Sequence, residues 1–90
     1  MNREDIIMRI TDTTSVADLS LAAQTALRDV ESGEVFTVRD LFRGFEWNRL
    51  SKGTRIQLGS VFNSYAKGKG TDLVEIGKKN AQNQQQYIKK

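Results

Sequence analysis

Apolar residues in this chain keep a helical period in two stretches and an alternating one near the end. From Ser15 to about Glu31, Val16, Leu19, Ala23, Ala26, Leu27 and Val30 fall on one stripe, which predicts an amphipathic helix. Ser15 can cap its start, and the small alanines would admit a second helix closely. "SGE" at 32–34 ends it, with Gly33 suited to a left-handed cap. "EVFTV" is a short β-type run. It leads into Thr37 and Asp40, whose T-x-x-D spacing is that of a capping box, so a brief helix is expected over about 38–43 with Leu41 and Phe42 inward. Gly44 is read as its stop and "FEWNRL" as an irregular connection. The next helix is expected from about Lys52 or Thr54 to Ala66, with Leu58, Val61, Phe62 and Tyr65 inward. Gly59 inside it costs roughly 1 kcal/mol against Ala, so a packing reason is expected there. "GKGTD" closes the helix. "LVEIG" alternates like a half-buried strand, and "QYIKK" reads as its partner across a long amide-rich, basic tip.

Ahead of these lies "NREDIIMRI", with Ile6, Ile7 and Ile10 at helical spacing. Residues 1–14 are therefore taken as an N-terminal extension forming a short helix. Its apolar face would pack on the domain or on a second copy of the chain, giving a homodimer. Residues 15–90 make one domain, as 90 residues allow. The expected fold class is α+β, with three or four helices and a C-terminal β-hairpin. The element order is that of a winged helix-turn-helix domain, in which the third helix enters the major groove and the hairpin touches an adjacent groove or the backbone.

Composition narrows the chemistry. The chain has no His and no Cys, which removes the common transition-metal ligands and the usual neutral-pH general base. No GxxxxGK[ST] phosphate loop occurs; "AKGKGTD" lacks that spacing. The chain is read as a non-enzyme with no metal and no cofactor. No run approaches the ~18 apolar residues of a membrane span, the start does not read as a secretory signal, and a reducing, cytoplasmic setting is expected. Charge is unevenly spread. Residues 1–42 hold four basic and eight acidic side chains, a net −4, whereas residues 43–90 hold ten basic and three acidic, a net +7. A polyanion-binding second half is the expectation.

A resemblance bears on the same residues. "GEVFTVRDLFRGFEWNRLSKGTRIQLGSVF", followed by "GKKNAQNQQQYIKK", resembles a family of short bacterial and phage proteins known as a domain of unknown function. The shared pattern is G-x-x-F-T-x-x-D-L-F, then W-x-x-L, R-x-x-L-G-x-x-F, G-K and N-x-x-x-Y. It covers about residues 19–90 and is most specific over 33–62. The resemblance implies a winged-helix-like fold and no assigned activity. Family members often carry a basic residue after the Leu-Gly pair, where this chain has Ser60.

The functional expectation is a small DNA-binding protein, regulatory in one form of that reading. On the helix of about 54–66, Gln57, Ser60 and Asn63 are candidate base contacts, since Asn and Gln can bond adenine bidentately and Ser can bond any base. Lys52, Arg55 and Lys67 are candidate phosphate contacts, with Arg55 on the flank or in an ion pair. Lys78, Lys79, Asn80, Asn83 and Gln84 are candidate wing contacts. Trp47 is expected to dock with Phe42, Phe45 and Leu50 against the longer helix, since one Trp can bury up to ~250 Å². The alternatives are a protein-interaction module, a phage-encoded inhibitor of a host nucleic-acid enzyme, or a structural subunit of a larger assembly.

Overall fold

The computed structural model describes residues 9–90. The Ile6 and Ile7 part of the expected N-terminal helix, and the homodimer built on it, lie outside the described residues. Ile10 is inside them and is buried, and its carbonyl accepts from Arg49 Nη1 at 2.8 Å.

Helix α1 spans Val16–Ala26 and runs on into a single 3-10 turn, Leu27–Asp29. Ser15 Oγ accepts from the Asp18 amide at 3.1 Å, satisfying one donor that a helix start leaves unpaired. Leu19, Ala23, Ala26 and Leu27 are buried, and with no long side chains at 23 and 26 the helix packs on the longest one, α3. Gly33 adopts φ +91°, a conformation that costs residues with a Cβ, and its amide donates to the Lys89 carbonyl at 2.7 Å. The chain is thereby delivered to β1, Val35–Phe36.

A 3-10 turn follows at Val38–Leu41. Asp40 Oδ2 accepts from the Thr37 amide at 2.8 Å, so the expected capping box forms, and Leu41 and Phe42 are buried as expected. The next segment departs from expectation. Gly44 opens a helix rather than stopping one: α2 is Gly44–Asn48. Its start is held by Glu46, whose carboxylate accepts from the Arg43 amide at 2.9 Å and from Arg43 Nη2 at 3.0 Å. Glu46 is buried, and these charge-assisted bonds offset the cost of taking its charge out of water. Residues 49–51 turn the chain into α3, Lys52–Lys67, where Ser51 Oγ accepts from the Thr54 amide at 3.2 Å.

Helix α3 is rotated slightly from the expected stripe. Leu58, Phe62 and Ala66 are buried, whereas Val61 is 41% exposed. The i, i+4, i+8 row faces both α1 and the sheet, and Val61 flanks it at the edge of the core. Strands β2, Val74–Lys79, and β3, Gln85–Lys89, form the hairpin, and the sheet order is β1-β3-β2, all antiparallel. Phe36 sits opposite Tyr87 in the ladder. Their rings join Phe62 in a three-ring core cluster, Phe62 to Tyr87 at 4.9 Å edge-to-face and Phe36 to Phe62 at 6.3 Å. Arrangements of this kind add about 0.5–1.5 kcal/mol per pair beyond burial. Buried Gly70 lies against Tyr65: a Cβ there would sit within van der Waals overlap of that ring, which packs at a tilt on Phe62. Three helices and a three-stranded antiparallel sheet thus share one core. Among the described residues no helix is long and apolar enough to cross a membrane.

Candidate nucleic-acid interface

A groove of about 870 Å³ separates one side of α3 from the hairpin tip. Its α3 wall carries Lys52, Arg55, Ile56, Gly59 and Asn63; the opposite wall is Gln82 to Gln85; Thr37 to Arg39 and Trp47 close one end. Three lining residues are cationic (Arg39, Lys52 and Arg55) and none is acidic. The ion pair found among the described residues, Arg43 with Glu46, does not involve these three. Their fields therefore add within the groove, and a concave basic wall focuses potential on an anion.

Sequence-derived candidates fall into three groups here. Lys52 is exposed at the start of α3 and lines the groove. Arg55 lines it too but is largely engaged. Its Nη2 donates to the Trp47 carbonyl at 3.0 Å and its guanidinium lies 5.3 Å from the Trp47 ring centre. Nε has no acceptor and is shielded from solvent, so Arg55 offers the groove its charge more than a free donor. Asn63 also lines the groove, with Nδ2 donating to Tyr87 Oη at 3.2 Å. Burial raises the Tyr87 phenol above its ordinary value of 10.0, against a smaller lowering effect of the Asn63 bond.

Gln57 and Ser60 are exposed on the outward face of α3, beside Ile56, which is 63% exposed. Lys67 is exposed in its last turn, and Lys78 and Lys79 are exposed at the end of β2. None of these five polar or charged residues lines the groove. Asn80 is a scaffold residue. Its Oδ1 accepts from the Gln82 and Gln84 amides at 3.0 and 2.9 Å, and its Nδ2 donates to Gln84 Oε1 at 3.0 Å. With Asn83 at φ +64°, these bonds shape a tip whose outward amides are Gln82 and Asn83.

Two groove residues escaped the sequence reading, Arg39 and Gln82, whereas the wing candidates Asn83 and Gln84 both line the groove. Arg39 sits on the 3-10 turn, where helical periodicity gives no facing. For the amides, the polar tip was visible but not which side chains its own backbone would consume. Three packing expectations also change. Phe45 does not dock with Trp47; it is 49% exposed, with the guanidiniums of Arg43 and Arg49 over its ring at 5.1 and 5.0 Å. Trp47 is only partly buried, packed on Phe42 at 5.8 Å between ring centres and on the core edge. Gly59 has no packing reason, since a Cβ there would meet nothing within 4 Å. Its cost of about 1 kcal/mol to the helix is not repaid by any neighbour.

The chain belongs to the DUF1413 family, a domain of unknown function, whose model matches residues 22–89. That span takes in the second half of α1 from Ala22, all of α2 and α3, the whole sheet and every groove residue named above. No curated protein and no solved structure matches the chain.

Proposed function

We propose that this protein binds duplex DNA as a winged helix-turn-helix domain, with α3 as the reading helix and the β2–β3 hairpin as the wing. The observation that carries this reading is the basic groove beside an exposed α3, three cations with no carboxylate among them. The element order supports it: α2, a short turn and α3 stand before a hairpin, and β1 closes the sheet against β3. On the outward face, Gln57 can bond adenine and Ile56 can meet a thymine methyl group. Lys52, Lys67, Lys78 and Lys79 supply phosphate contacts, and Ser60 is small enough for the helix to sit close to base edges.

A mobility shift on random duplex across a salt series tests the reading. The log of affinity should fall linearly with the log of salt, at about −0.9 per phosphate neutralised, with roughly three to five phosphates involved. Absence of any shift at ~50 mM salt rejects it. The second reading, a protein-interaction module, then stands. It is favoured by Ile56, a large apolar side chain 63% exposed on the groove wall of α3.

A further inference from the structure

Gly59 is the feature of α3 that packing leaves unexplained. It lies in the helix interior, where glycine weakens a helix, and no neighbour approaches its missing side chain. Gly44 and Gly53 also have open space, but each stands in the first turn of its helix. Gly59 differs in opening onto the groove, between Lys52 and Arg55 on its own helix and the amides of the tip. A bare backbone in such a wall is what a ligand's close approach requires.

We infer that the groove itself seats one phosphodiester strand of the bound duplex, passing against Gly59. Arg39 and Lys52 contact its phosphates from one side, and Gln82 and Asn83 touch it from the tip. This rests on the DNA-binding reading and adds to it a strand path, the residues Arg39, Gly59 and Gln82, and a place on that path for the wing candidate Asn83. Phosphate chemistry suits these groups: Arg39 and Lys52 are exposed cations outside the Arg43–Glu46 ion pair, and amide NH₂ groups donate to phosphate oxygens. Arg55 stays on Trp47 and adds charge to the wall. The tip is braced by Asn80, so its two outward amides are held in place before any ligand arrives.

The test measures fluorescence anisotropy of a random 20-base-pair duplex, and of the single strand of the same length, over a salt series. The proteins are the wild type, Gly59→Ala, Arg39→Ala/Lys52→Ala, and Arg28→Ala as a cationic control outside the groove. The expected result has three parts. Gly59→Ala melts at or above the wild-type temperature yet binds duplex roughly tenfold more weakly, the size of one lost charge-assisted contact. The double variant lowers the salt slope by about two contacts' worth, near 1.8. Arg28→Ala binds more strongly than either. Wild-type-like duplex affinity for both groove variants overturns the inference and leaves the DNA-binding reading standing, whereas a wild type that binds no duplex removes that reading itself. Tighter wild-type binding of the single strand, lost in Gly59→Ala, puts a single strand in the groove and overturns the duplex path. Preference for a polyglutamate peptide over duplex at the same ionic strength, lost in Arg39→Ala/Lys52→Ala, makes the occupant an acidic peptide and overturns it equally.

Discussion

Tyr87 concentrates several of the fold's demands in one side chain. Its ring completes the three-ring cluster, its backbone holds the central strand, and its hydroxyl accepts from Asn63. Burial raises its pKa above 10.0, so the folded state holds the phenolic proton more tightly than the unfolded chain. Stability is therefore at its full value below pH 10 and falls as pH rises through the folded pKa. Tyr87→Phe should flatten that alkaline loss, measured by urea denaturation between pH 8 and pH 11, at a cost of about 1 kcal/mol for the Asn63 donor left unpaired. Trp47→Ala should cost about 2–3 kcal/mol, below the range for a fully buried Trp because this one is only partly covered. Urea unfolding of that variant checks the figure, and an unchanged midpoint would show the indole to be no anchor. Gly70→Ala should lose about 1–3 kcal/mol by overpacking against Tyr65, in contrast with a neutral or stabilising Gly59→Ala. Side-by-side thermal melts separate the two glycines.

At the level of elements, the short link from α2 to α3 sets how α3 is presented. Glu46 holds the start of α2, Ser51 that of α3, and Arg49 reaches back to the Ile10 carbonyl. Ser51→Ala should cost about 1 kcal/mol through the lost cap, and Glu46→Ala more, since it strips the Arg43 amide and guanidinium of their acceptor together. Chemical denaturation measures both, and equal costs would mean that the buried carboxylate contributes no more than an ordinary cap. Legibility in the sequence differed sharply between these elements. Ser15, Gly33 and the Thr37–Asp40 pair use standard end chemistry and announced their elements. Arg43 is not a usual N-cap residue and Gly44 reads as a breaker, so the local signal at α2 is that of a connection. The signal that finds it is Glu46, three residues beyond the cap, which is the acidic half of a capping box without its usual partner.

For the whole molecule, charge asymmetry becomes geometry. The basic second half divides between the groove wall and the exposed ends of α3 and β2, and each should register separately in binding. Under the proposed function, replacing Lys78 and Lys79 together by Ala should flatten the salt slope by about two contacts while leaving sequence preference intact. Gln57→Ala should do the reverse, losing roughly 1–3 kcal/mol of discrimination with little change in salt dependence. Competition binding on a panel of duplexes, repeated at two salt concentrations, distinguishes the outcomes.

By itself the sequence determined the elements whose signals are local: the period of α1, the alternation of β2, the caps, the left-handed Gly33 and the uneven charge. These depend on residues within one or two turns of each other. Tertiary structure decided what depends on neighbours far along the chain. Whether Val61 or Ala66 faces inward is set by where α1 and the sheet meet α3, because a stripe of apolar residues allows more than one centre. Whether Asn80 or Asn83 faces out is set by which amides the tip consumes in its own turn. The groove exists only because the 3-10 turn, α3 and the hairpin, distant in sequence, converge around a glycine that no helix fills.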